Sequence, residues 1–241
     1  LRFGDADGVA RDAGGGAGTA AAPVPLEPNG LIGASARFDG GLVTTLPASD
    51  RVQAAAGAPY SISLWAKPVA ATGTLLAQGP LLLLLDGGKL LLRLGSLKLE
   101  GGNLPPAAWA HLGLTLGGGK ATLFVNGAQA AQADLPASAP AIAGELKLGQ
   151  GYSGLIDELQ VATVLRSAEW MAFTRAAQGA DAKLVATQTQ AGGQAAEGEG
   201  GHSYFGILFK NLTTDAWVVI GICGVMFVVA VWVMIRSEER R

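Results

Sequence analysis

Residues 109–127 read WAHLGLTLGGGKATLFVNG, and the flanking runs of the chain repeat their pattern. Two short apolar runs flank Gly117-Gly118-Gly119, and Asn126-Gly127 closes the second. In ATLFVNG, Leu123 and Val125 alternate with Thr122 and Phe124, the period of two that sends successive side chains to opposite faces of a strand. Glycine and Asn-Gly accept the positive φ that tight hairpin turns demand. The stretch therefore predicts strand, turn, strand, turn.

The same pattern continues on both sides: SARFDGG (35–41), GLVTTL (41–46), YSISLWAKPV (60–69), GTLLAQ (73–78), LLLLLDGGKLLLRLG (81–95), ELKLGQ (145–150) and YSGLIDELQVATVL (152–165). Short runs at this spacing, punctuated by turn residues, predict an all-β, antiparallel two-sheet sandwich. In YSISLWAKP, Ile62, Leu64 and Ala66 alternate with Ser61, Ser63 and Trp65, the pattern of a half-buried strand. Asp86-Gly87-Gly88 marks a third hairpin. Leu81–Leu85 is too short to cross a bilayer and stops at Asp86, so it reads as a buried sandwich strand. Ser167 is placed to cap a helix, SAEWMAFTRAAQ, whose Trp170, Met171 and Phe173 are expected to cover one end of the sandwich.

Trp217 to Ile235, WVVIGICGVMFVVAVWVMI, holds nineteen residues without a charge, and as a helix it would span roughly 28 Å of hydrocarbon. Every face of that helix is apolar, unlike a soluble core helix, so one transmembrane helix is expected. Trp217 and Trp232 lie where indoles rest at lipid headgroups, and Gly221 and Gly224 would admit a neighbouring helix. Arg236, Arg240 and Arg241 follow directly, which puts the C-terminus in the cytoplasm and the sandwich outside it. The chain is thus expected to comprise a loosely structured N-terminal segment (1–34), a β-sandwich with a C-terminal capping helix (35–178), a flexible linker (179–201), an interfacial amphipathic segment (202–216), the span (217–235) and a cytoplasmic start (236–241). The first residue is leucine rather than methionine, and the topology implies an export signal upstream.

Net charge is −2, from 17 Lys+Arg against 19 Asp+Glu, with no basic block outside the membrane-proximal cluster, so nucleic acid is not an expected partner. The single cysteine, Cys223, falls within the apolar span, so stability outside the membrane must come from burial rather than disulfides. His111 sits between Trp109 and Leu112 in a strand and reads as a packed, hydrogen-bonded residue. With His202 as the only other histidine, no Ser/His/Asp or Cys/His catalytic set is expected.

Residues 35–172 resemble a laminin-G-like domain of the concanavalin A-like jelly-roll superfamily. ARFDGG, YSISLWAKP, WAHLGLTLGGGKATLFVNG and ELKLGQGYSGLIDELQVATVLRSAEWM carry the likeness. The resemblance implies a jelly-roll with a concave face that in many relatives binds glycans or proteins. It also implies a candidate structural calcium at Asp39 and Asp157, although calcium wants six to eight oxygen ligands and two aspartates alone fall short. The competing reading has Asp39 closing a turn and Asp157 bonded to backbone. Glycosidases of the superfamily place two carboxylates close together on one strand, whereas here Leu155 of GLIDELQV stands where the first would be, so no catalysis is expected. Asp50, Glu145 and Glu158 read as ordinary solvated carboxylates. Trp65, Trp109 and Tyr152 are candidate sugar-stacking aromatics whose competing role is core or rim packing.

HSYFGILFKNLTTDAWVVIGICGVMFVVAVWVMIRSEERR (202–241) resembles the start of the first transmembrane helix of the ExbB/TolQ/MotA proton-channel family, with KNLTTDAWVVIG its most specific phrase. That likeness implies a pentameric homo-oligomer in the bacterial inner membrane, an ExbD/TolR-like single-span partner, and a periplasmic sandwich. It also implies that the natural protein continues past Arg241. The expected function is therefore the extracytoplasmic domain and first span of an energy-transducing motor subunit. A single-span, membrane-tethered lectin or adhesion module is the alternative, and an exported glycan hydrolase comes third.

Overall fold

The computed structural model describes Val9, Ala20 and residues 22–179. Apart from Gly179, the expected linker lies outside the described residues, as do the interfacial segment, the span with Trp217, Gly221, Gly224 and Trp232, and cytoplasmic Arg236, Arg240 and Arg241. Among those described, no helix is long and apolar enough to cross a membrane.

Among the described residues, thirteen strands form two antiparallel sheets: β1 (Leu26–Glu27), β2 (Ser35–Asp39), β3 (Thr44–Leu46), β4 (Tyr60–Pro68), β5 (Gly73–Gln78), β6 (Leu81–Asp86), β7 (Lys89–Leu94), β8 (Leu97–Asn103), β9 (Ala110–Gly117), β10 (Lys120–Val125), β11 (Ala128–Asp134), β12 (Leu146–Leu148) and β13 (Ser153–Ala162). A helix, α1 (Ala168–Gln178), follows β13. One sheet runs β1-β2-β13-β4-β9-β10-β11 and the other β3-β12-β5-β6-β7-β8. Consecutive strands pair where a tight turn joins them. The late strands β12 and β13 insert among early ones, closing the sandwich over long sequence separations.

The three expected hairpins form. Asp86 pairs Lys89 across Gly87-Gly88, Gly117 pairs Lys120 across Gly118-Gly119, and Val125 pairs Ala128 across Asn126-Gly127. Both central residues of each turn have positive φ, including Asn126 at 51°, the conformation whose twist matches the flanking strands. The core lies between the sheets. Ile62, Leu64, Leu114 and Ile156 from the larger one meet Leu76, Leu81, Leu83 and Leu92 from the smaller, all fully buried. Leu81, Leu83 and Leu85 face inward while Leu82 and Leu84 are half-buried on the opposite face, so the leucine run is a sandwich strand.

Two local expectations change. β4 is not half-buried: Ser61, Ser63 and Trp65 are as enclosed as Ile62 and Leu64. The cause is α1, which lies on the outer face of the larger sheet and does not cap an end of the sandwich. Met171 and Thr174 are its buried residues, whereas Phe173 is 61% exposed. Gly113 makes this seat: a Cβ there would lie 2.8 Å from Met171 Sδ and 3.1 Å from Phe124 Cβ. Ser167 caps the helix as expected, its hydroxyl accepting from the Trp170 amide at 3.2 Å. The N-terminal stretch contributes β1, which pairs with β2, and a buried Val24.

Candidate functional site

The outer face of the larger sheet divides into a covered part and an open part. In the covered part, Trp65 packs against His111, with ring centroids 5.2 Å apart, and its indole N–H donates to Gln178 Oε1 at 3.0 Å. Gln178 Nε2 in turn donates to Glu158 Oε2 at 3.3 Å, which fastens the last turn of α1 to the sheet. Glu158 is therefore not a solvated carboxylate. It has a φ of 48° within a bulge of β13, where Asp157 pairs Trp65 and Gln160 pairs Ser63, and that conformation is costly for a residue with a side chain.

His111 Nε2 lies 2.8 Å from Ser63 Oγ, a Ser/His contact that sequence spacing gave no means of finding across 48 positions. It is not a nucleophile arrangement. Both residues are buried beneath α1, Nδ1 has no hydrogen-bond partner among the described residues, and no carboxylate orients the ring. Burial, reinforced by the Arg175 charge, pushes the His111 pKa down to about 4, so the imidazole is neutral at pH 7.

Both candidate calcium ligands accept hydrogen bonds from backbone amides, Asp39 through Oδ1 alone and Asp157 through both oxygens. Asp39 Oδ1 accepts from the amides of Gly41 and Leu42 at 2.9 and 3.0 Å and closes the turn after β2, and these bonds hold its carboxyl below the usual range. Asp157 Oδ2 accepts from Leu31 and Ile32 at 3.0 and 3.1 Å, and Oδ1 from Glu158 at 2.9 Å. Burial nevertheless pushes the Asp157 pKa up. Asp39 pairs Ser153, four residues along β13 from Asp157, a separation of roughly 13 Å, so no single ion touches both. Among the described residues no three His, Cys, Asp or Glu side chains gather in a metal-binding group.

The open part is a cleft of about 390 Å³ over β2, β13 and β4. The register lays out its floor. Arg37, Leu155 and Lys67 form one row across the three strands, and Asp39, Ser153 and Val69 form the next, with the Val69 amide donating to the Ser153 carbonyl at 2.9 Å. Glu27 reaches Arg37 at 3.6 Å, and Ala107, held at φ 57° with its amide on the Pro68 carbonyl, forms a rim. Leu155, at the position where a carboxylate would mark a hydrolase, is an apolar floor residue between two cations. Of the aromatic candidates, Trp65 and Tyr152 are buried, Tyr152 against Phe38 with its hydroxyl on the Leu155 carbonyl, and Trp109 is half-buried. None of the three lines the cleft.

Two antiparallel sheets with a covering helix and an open cleft on the outer face define a lectin-like sandwich. The chain belongs to the concanavalin A-like lectin/glucanases superfamily, whose laminin-G family model matches residues 39–172, more than half of its length. No curated protein sequence matches it. Among solved structures it is similar to the binding domain of Paraclostridial Mosquitocidal Protein 1, at 11% identity over 63% of this chain and 45% of that one, with a TM-score of 0.55. The ligand binding domain of botulinum neurotoxin serotype D, solved with N-acetylneuraminic acid, gives 12%, 66%, 46% and 0.55 in the same order. Trypanosoma rangeli sialidase, in complex with a difluoro-KDN, gives 13%, 74%, 32% and 0.55. The chain spans less than half the length of each, and at these identities the likeness is one of fold.

Proposed function

We propose that the sandwich is a non-catalytic binding domain, displayed outside the cytoplasm, that recognises a glycan, cell-wall or protein partner. We propose further that it precedes the first membrane span of an ExbB/TolQ/MotA-like proton-channel subunit. The cleft carries the binding half of this reading: it joins apolar floor to several charged and polar side chains on rigid strands, the composition of a small-ligand site. The commitment of Asp157 to three amides, with leucine at 155, supports binding without hydrolysis. Sugars held by proteins of the same fold, as in the neurotoxin domain, support a glycan as the partner. The motor half is supported by KNLTTDAWVVIG and the apolar run that follows it.

The test is to extract the full-length protein in mild detergent, co-expressed with its genomic neighbour, weigh it by native mass spectrometry, and assay it on peptidoglycan and polysaccharide beads. The expected result is five copies holding a small single-span partner, retained on one glycan without releasing reducing ends. A lone monomer that still binds glycan would leave a tethered lectin. Release of reducing ends would make it a hydrolase.

A further inference from the structure

We propose that the cleft over β2, β13 and β4 takes one unit of a neutral saccharide, gripped through adjacent hydroxyls; this specificity rests on the binding-domain reading above. Two rows of three residues, with strands about 4.8 Å apart and rows about 6.6 Å apart, give a floor of the size of a single sugar ring. Its volume lies near the lower end of the range for small-ligand sites.

The chemistry of the two rows is complementary to a diol. Both turn amides go to Asp39 Oδ1, so Oδ2 has no bond among the described residues and can accept from two neighbouring hydroxyls. Lys67 takes part in no ion pair among the described residues, and its ammonium can donate to a third oxygen. The Ser153 hydroxyl between them does either. Leu155 and Val69, the latter 68% exposed, offer an apolar surface to the C–H face of the ring.

Charge balance decides against an acidic sugar. Glu27 and Asp39 cancel Arg37 and Lys67, so a carboxylate attracted to Lys67 would be repelled by Asp39 in the adjoining row. A neutral ligand meets no such opposition. With a shallow site and no aromatic platform, affinity falls in the millimolar range and changes little with salt.

The experiment is isothermal titration and saturation-transfer NMR on the full chain, held in a detergent without a sugar headgroup. Cellotriose, mannotriose, galactotriose and chitotriose serve as neutral probes, and digalacturonic acid and sialyllactose as acidic ones. At least one neutral probe should bind equally at low and high salt. Asp39→Asn, whose amide oxygen still accepts the turn amides, and Lys67→Gln should each weaken it by about tenfold, the value of one charge-assisted hydrogen bond. Lys147→Gln, on the other sheet, should leave it unchanged, and unfolding curves check that each variant folds. Binding of only the acidic probes, lost in Lys67→Gln, would overturn the neutral specificity while leaving the binding-domain reading intact. Neutral binding untouched by both cleft substitutions would overturn the site. Binding by none of the probes would overturn the saccharide reading along with it.

Discussion

At the scale of single residues, His111 shows how a polar side chain becomes part of the core. Its sequence neighbours Trp109 and Leu112 already marked it as structural, but the partner Ser63 and the covering Arg175 could not be read locally. Its folded pKa of about 4 lies below the ordinary 6.5, so below pH 6.5 the unfolded chain takes up a proton that the folded one refuses. Stability is therefore expected to fall as pH drops from 6.5 towards 4, by about 3 kcal/mol at most, and then level off with respect to this group. Urea midpoints measured across that window should show the slope, and His111→Gln should flatten it. Gly113 belongs to the same scale. Gly113→Val would drive a branched side chain into Met171 and the Phe124 Cβ, and should cost about 1–3 kcal/mol in the same unfolding assay.

At the scale of elements, alternation in YSISLWAKP gave the strand but misjudged its exposure. Small polar residues such as Ser61 and Ser63 look solvent-facing in a period-two pattern. Here they sit under a helix, and Ser61 Oγ donates to the Val164 carbonyl at 2.8 Å and accepts from the Arg166 amide at 3.0 Å, bracing the connection into α1. Asp157 similarly ties the segment before β2 to β13. Asp157→Ala would leave the Leu31 and Ile32 amides without their acceptor, and is expected to cost about 2–3 kcal/mol and to open residues 22–34 to limited proteolysis. Where β8 and β11 approach, a Cβ on Gly101 would lie 2.5 Å from Ala131 Cβ and 2.9 Å from the Ala130 carbonyl. Gly101→Val should push the two sheet edges apart and lower the unfolding midpoint, whereas a substitution at exposed Gly118 tests only turn geometry.

At the scale of the whole molecule, stability rests on leucine-rich packing between two sheets, since the chain's one cysteine cannot form an internal disulfide. Leu83→Ala and Leu114→Ala, one from each inner face, should each cost about 2–5 kcal/mol by leaving a cavity, with cooperative unfolding by both fluorescence and circular dichroism. The cleft is likewise a property of the whole. Arg37, Lys67 and Leu155 come from the beginning, middle and end of the sandwich, and no pairwise spacing in the sequence links them.

The all-β class, three of the hairpins and the capped helix were legible in the chain alone, because period-two alternation, glycine turns and an N-cap serine act over a few residues, whereas the superfamily was legible only through the likeness of motifs such as WAHLGLTLGGGKATLFVNG to a known family. It also made Asp39 a turn-closer and Asp157 a backbone partner in one of its two readings, and the hydrogen bonds follow that reading. The folded chain alone places β13 between β2 and β4, lays α1 over Ser63 and His111, holds Glu158 in a bulge, and puts Arg37, Leu155 and Lys67 in one row. Burial and strand neighbourhood are set by contacts between residues far apart in sequence, from 48 positions for Ser63 and His111 to 126 for Leu31 and Asp157, and such contacts leave no period in the chain.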